Sequence, residues 1–285
     1  MMLRVLMLAI TGLLTCAGAA FAQTESRPPV SQCQAIARNI PGVMFASFEP
    51  PLNRPSVQLA QATAREEVKI SFIGHSTYLI ESPGGVTIAT DYNGVYRPPV
   101  TPTVVTMNRA HSTHFTLSPD PAIQYVLHGW SDTPGEKAEH KVLVGDVYIR
   151  NVATDIRNRW GDYESFQENG NSIFIFEVAG LCIGHLGHLH HELTDTHYAE
   201  IGRLDVLMVP VDGGLTMGAD SMSRVVKRLR SALILPMHRT GAPLEQFLTM
   251  FGESFRIAYA SDPIIRVSMR NLPRQPEILV PKGMQ

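Results

Sequence analysis

The sequence predicts an α/β fold of two sheets with helices packed outside them. Three observations lead there. Residues 68 to 152 carry short apolar or alternating runs separated by turn residues, the pattern of consecutive strands. Beyond residue 172, strand-like runs alternate with helix-like ones, which places helices on the outer side of a sheet. No linker-like change of composition divides residues 68 to 275, so one domain is expected, assigned to 67–285.

The elements follow in order. Residues 68–73 alternate, and 78–80 and 86–89 follow around the Pro83-Gly84-Gly85 turn, a meander of short strands. Residues 104–106, 122–127 and 141–152 read as three further strands. Residues 172–177 and 181–183 form a hairpin about Ala179-Gly180. A short helix is predicted at 194–201 with Thr194 as its N-cap. Residues 206–209 are a buried strand closed by Pro210. Residues 219–229 have helical spacing, with basic residues in the last turns where they suit the helix dipole. A strand at 233–235, a helix at 243–251 and two short strands near Arg256 and Ile264 complete the reading.

Residues 1–22 carry one early arginine, an apolar run and the small-residue ending Ala20-Phe21-Ala22. This predicts a secretory signal peptide cleaved before Gln23, hence a periplasmic or secreted protein with no stable membrane insertion afterwards. Residues 23–66, rich in Pro, Gln and Ser, read as an extended leader. With 24 basic and 26 acidic residues the net charge is −2, without the basic footprint of a nucleic-acid binder. Three cysteines exclude a disulfide-dense scaffold and a cysteine-rich zinc module. An oxidising compartment permits a Cys33–Cys182 bridge, but Cys182, in the apolar run 180–184, reads first as a buried strand residue.

Eleven histidines are the unusual count, and none precedes residue 75. Three apolar strands end in histidines: 104–106 leads to His111 and His114, 181–183 to His185 and His188, and 233–235 to His238. Strand ends feeding loops are where sites assemble on a rigid scaffold. Imidazole is the commonest neutral metal ligand, and catalytic zinc takes three protein ligands. The competing serine chemistry lacks its G-x-S-x-G elbow. His75 is expected to be structural or to stand behind the ligands, and His185 to face the core or the same layer. His190 and His191 read as an exposed metal-scavenging tract, and His128, His140 and His197 as surface residues.

Residues 68 to 238 resemble the metallo-β-lactamase fold superfamily, most of all its branch of small metal-dependent hydrolases such as ascorbate-6-phosphate lactonase. The matching segments are Ile73-Gly-His-Ser-Thr-Tyr-Leu-Ile80 with Ala89-Thr-Asp91, then 171–177, Gly184-His-Leu-Gly-His188, 204–211 and Ile234-Leu-Pro-Met-His238. The resemblance implies a four-layer αββα sandwich with its site at one sheet edge. The site departs from the pattern. Where the family carries H-x-H-x-D-H, this chain reads Arg109-Ala-His111-Ser-Thr113-His114. Asp155 stands near the family's mid-chain histidine, and His188 replaces its metal-bridging aspartate.

The surviving ligands imply a single zinc, or another divalent metal, held by His114, His188 and His238 with His111 close by. Arg109 would either hold a substrate anion and stabilise developing charge, or only pair with Asp155 or Asp91. Asp155 and Asp212 are the candidate assisting carboxylates. The function expected is hydrolysis of an ester, lactone or phosphoester in a small anionic molecule. The alternative is a non-catalytic ligand- or metal-binding descendant of the fold. Hydrolysis of β-lactams is disfavoured, because the branch resembled is not the antibiotic-hydrolysing one.

Overall fold

The computed structural model describes residues 30–34, 66–133, 135–157, 166–239 and 243–284. The predicted signal peptide and most of the predicted leader lie outside them. Among the described residues, fourteen strands form two mixed sheets, and no helix is long and apolar enough to cross a membrane. The first sheet has the order β13-β1-β2-β3-β4-β5, from β1 (Val68–Gly74), β2 (Thr77–Glu81), β3 (Thr87–Ala89), β4 (Val104–Met107), β5 (Tyr125–His128) and β13 (Ile264–Val267). The second has the order β12-β14-β11-β10-β9-β8-β7-β6, from β6 (Lys141–Val144), β7 (Val147–Arg157), β8 (Phe166–Val178), β9 (Leu181–His185), β10 (Val206–Pro210), β11 (Leu233–Met237), β12 (Arg256–Tyr259) and β14 (Glu277–Val280).

The central strands of the second sheet are apolar on both faces. On β8, Phe174 and Phe176 enter the core between the sheets, with Ile70, Ile80 and Ile88, while Ile173 and Ile175 face the outer layer. On β10, Val206 and Met208 point in, and Leu207 and Val209 point out. Such continuous apolar runs are what strands buried on both sides require. Residues of the helices α2 (Ala219–Leu229) and α3 (Pro243–Thr249) cover the outer face. The outer face of the first sheet is closed, among the described residues, by a smaller cluster of Tyr92, Met107, Ile123 and Trp130. Thr194 caps α1 (Asp195–Ile201), and His197 returns the bond to the Thr194 N–H, so His197 is part of a cap.

Three sequence expectations are corrected. The single strand at 141–152 is two strands, β6 and β7, turning at Gly145-Asp146, with Gly145 at φ +54°. The strand β14 was not foreseen. Cys182 is a buried strand residue as expected, but it is also bonded to Cys33, 149 residues away. That bridge and the Glu177 carboxylate staple residues 31–33 to the second sheet. Glu177 accepts from Ser31 Oγ at 2.5 Å, Gln32 N at 2.8 Å and Arg150 Nε at 2.9 Å.

Strand direction decides where chemistry can sit. β9, β10, β11 and β14 are parallel neighbours, as are β3, β4 and β5. Their carboxyl ends therefore lie at one edge, the usual ligand edge of open α/β sheets.

Candidate metal centre

His75 sits in the β1–β2 turn, His111 and His114 in the loop after β4, His188 after β9 and His238 after β11. Ligand nitrogens of His75, His111, His114 and His238 all lie within 4.8 Å of one another. His188 stands against this group, its ring 4.7 Å from that of His114 and 4.8 Å from that of His238. The structure thus brings together the four predicted histidines and adds His75, which had been expected to be structural. Its signal was present in Gly74-His75, another histidine at a strand end.

The backbone is bent to build this cage. His75, Asp91 and His238 have φ of +54°, +42° and +56°, a region that side chains other than glycine enter at a cost. A 2.7 Å bond from the His238 N–H to the His75 carbonyl holds two of them together across the sheets. Gly187, at φ +61°, is required by contact as well as by conformation. A Cβ there would lie 2.4 Å from both Asn108 Nδ2 and Asn171 Oδ1, which hold Asp91 and His188 in place.

Two carboxylates fix the deepest rings. Asp91 Oδ2 accepts from His114 Nδ1 at 2.6 Å, and Asp212 Oδ2 from His238 Nδ1 at 2.6 Å, all four side chains fully buried. Burial works against the Asp91 charge, but His185 and His114 and the bonds from His114 and Asn108 outweigh it, so its pKa is lowered. Burial likewise opposes Asp212, and bonds from His238, Thr216 and Gly214 carry it below the ordinary carboxylate range. With Nδ1–H committed, each ring turns a bare Nε2 inward. Those two Nε2 atoms are buried and have no hydrogen-bond partner among the described residues. An orphaned buried acceptor is costly unless something fills the site. Histidines oriented by carboxylates, with the far nitrogen open, are the donor set of a metal site.

Asp212 is therefore corrected from assisting carboxylate to holder of His238. Its two oxygens accept four bonds, from His238, Gly214 N, Thr216 N and Thr216 Oγ1. Asp155 is not brought to the cage. It accepts from the Asn169 N–H at 2.9 Å, at the irregularity of the β7–β8 pairing, while its neighbour Thr154 accepts from the Asn171 that positions His188. Arg109 is exposed and lines a cavity of about 310 Å³ with Trp130, Asp132, Glu136 and Glu168. It pairs with neither Asp91 nor Asp155. Thr113, which occupies the motif's aspartate position, bridges His111 Nδ1 at 2.7 Å and His75 Nε2 at 2.9 Å.

The remaining histidines settle as follows. His185 is buried and bonds the Ser76 carbonyl at 2.9 Å, tying β9 to the β1–β2 turn. His190 is no exposed scavenger. It is half-buried and bonded to His188, whereas His191 is exposed. His140 bonds the His128 carbonyl.

Burial and the neighbouring His238, His114 and His111 push the His75 pKa down to about 3. Burial and Arg157 do the same to His190. His188 lies well below its ordinary value, from burial and then His114. The folded state thus holds these rings neutral while the unfolded chain protonates them near pH 6.5. Between about pH 6.5 and 3 the unfolded state binds more protons, so stability is full above this window and falls as pH drops through it, by about 1.4 kcal/mol per pH unit for each net proton. The thermal midpoint of chelator-treated protein should fall steadily from about pH 7 to pH 5. A flat profile would contradict the neutral cage.

An α/β sandwich with a histidine cage at the carboxyl ends of both sheets defines a metal-site fold. Residues 69–238 match the family model of the Beta-lactamase superfamily domain, and the chain belongs to that superfamily. It is 23% identical over 216 residues to a UPF0173 metal-dependent hydrolase of Pyrococcus furiosus, covering 67% of this chain and 95% of the relative. It is also similar to the structure of a Thermotoga maritima protein classed as a zinc-dependent hydrolase of the metallo-β-lactamase superfamily. That match has 29% identity and a TM-score of 0.53, over 75% of this chain and 97% of the other. A metal-dependent hydrolase structure from Parabacteroides distasonis, at 14% identity and a TM-score of 0.52 over 66% of this chain and 89% of the other, shares the fold.

Proposed function

We propose that this chain is an exported metal-dependent hydrolase of an ester, lactone or phosphoester. The observation that carries the reading is the pair of buried, unpartnered Nε2 atoms of His114 and His238 inside a four-histidine group. His75, His111, His114 and His238 would hold one divalent ion, and an all-imidazole set favours zinc over harder ions. When bound, the ion supplies a Lewis acid and acidifies water. The chain's own part is to fix the donors. Asp91 and Asp212 lock two rings, and Thr113 ties His111 to His75. Arg109, exposed and two residues before His111, would be a cation for a substrate anion. The Cys33–Cys182 bond supports export, since such bonds persist in oxidising compartments.

A second reading, a non-catalytic metal holder, draws on the lack, among the described residues of the cage, of a spare carboxylate. Asp91 and Asp212 are both committed to ring hydrogens, and threonine stands at the motif's aspartate. Zinc-loaded protein assayed with p-nitrophenyl acetate, a chromogenic lactone and bis-p-nitrophenyl phosphate separates the two. Hydrolysis abolished by chelator and restored by zinc is expected. If loaded, folded protein does no better than its His114→Gln variant on any of the three, the hydrolase reading fails.

A further inference from the structure

His114 and His238 turn a bare Nε2 into the cage, and His188 does not. The difference originates in a backbone amide. The Arg157 N–H donates to His190 Nδ1 at 2.6 Å, and an amide can only donate, so that nitrogen bears no proton. His190 is then neutral and carries its hydrogen on Nε2. That Nε2–H lies 2.7 Å from His188 Nδ1, which must accept it. His188 in turn is neutral and carries its hydrogen on Nε2, the nitrogen that faces the cage.

The chain of donors continues from there. His188 Nε2–H reaches His111 Nε2 at 3.1 Å, leaving His111 to donate from Nδ1 to Thr113 Oγ1 and Thr113 to donate to His75 Nε2. The contrast with His114 and His238 is chemical. Behind each of those rings stands a carboxylate, which takes the Nδ1 hydrogen and leaves Nε2 bare. Behind His188 stands a donor, which forces the opposite tautomer. A neutral imidazole whose inward nitrogen carries hydrogen has no lone pair there for a metal.

We propose that His188 is not a ligand but a hydrogen-bond donor into the cage, with His190 as the residue that sets its tautomer. The proposal rests on the cage being the reaction site, and it names what His188 would serve. Once His111 Nε2 turned to an ion, this N–H would be released from His111 and would suit a carbonyl or phosphoryl oxygen that gains negative charge. His188 stands where the superfamily pattern has a bridging carboxylate, so the exchange replaces an acceptor by a donor.

The test is long-range proton–nitrogen correlation NMR on the full chain labelled in histidine, with and without zinc, beside zinc titrations. His188 should show hydrogen on Nε2 in both states, while His114 and His238 show it on Nδ1. In His190→Phe the His188 tautomer should become mixed. Zinc content and affinity should stay within a few-fold of wild type in His188→Gln, and fall at least about 100-fold in His114→Gln. A His188 ring with hydrogen on Nδ1, or zinc lost in His188→Gln as in His114→Gln, would overturn the proposal. If wild type takes up no zinc, the metal reading fails by itself, and the zinc-free spectrum still decides the tautomer. If zinc binds but no ester turns over, the hydrolase reading fails while the assignment of His188 stands.

Discussion

Replacing His114 or His238 by alanine should abolish metal binding and any metal-dependent turnover. Each ring is wholly buried, each is held by one carboxylate, and each supplies one of the two unpartnered nitrogens. Changing a partner behind a ligand commonly costs 10–100-fold in metal affinity, so deleting a ligand itself should cost at least about 100-fold. Alanine also removes one hydrogen bond from the buried Asp91 or Asp212, which keep their bonds from Asn108 or from Gly214 and Thr216, at a cost of about 1.5–3 kcal/mol. The glutamine variants keep an amide donor near the carboxylate and separate loss of ligand from loss of fold. Elemental analysis of zinc per chain, read beside circular dichroism, measures both. His191→Ala, on an exposed ring, should change neither. Full zinc in folded His114→Gln and His238→Gln would refute the assignment of the cage.

Breaking the Cys33–Cys182 bond, by reduction or by Cys182→Ser, should cost about 4 kcal/mol. A bridge over so long a loop removes much conformational freedom from the unfolded chain, and native bridges typically contribute 2–5 kcal/mol. For a domain of this size that is a drop of about 10 °C in the thermal midpoint. Calorimetry of oxidised and reduced protein is the measurement. Cys33→Ser and Cys182→Ser should lose the same amount, because they lose one bond. Equal midpoints with and without reductant would deny the bond a structural role. Glu177 should then still hold residues 31–33 through its contacts to Ser31 and Gln32.

Much of the architecture was legible because burial on both faces leaves a plain record. The apolar runs at 172–177, 206–209 and 233–235 became β8, β10 and β11, and Thr194 capped its helix as read. The Gly145-Asp146 turn was overlooked although glycine followed by aspartate between apolar residues is a hairpin signal. For the site, histidines at strand ends located the right edge, since parallel strands bring their carboxyl ends together. What failed was partnership. Asp155 sits at the irregularity of the β7–β8 pairing, where it meets Asn169 while Thr154 meets Asn171. Asp91 and Asp212 look like free carboxylates in sequence, and only geometry shows their oxygens committed to imidazoles. His75 was read as structural because a turn between adjacent strands gave no metal-ligand spacing, and the structure sets it beside the other rings. Cys33 and Cys182 are too far apart in sequence for any local signal to join them.

The cage draws on both sheets. His75, His111 and His114 come from the first, and His238 from the second. Whatever occupies it is therefore a rivet between the two layers as well as a reagent. Loaded protein should come apart as one cooperative unit, with the two halves of the sandwich sharing a single melting event. Emptied, the halves remain joined by the apolar core between them and by hydrogen bonds such as His238–His75, Tyr78–Pro236 and Ser172–Asn108. The supply of metal would then govern how long the folded chain survives as well as how fast it works.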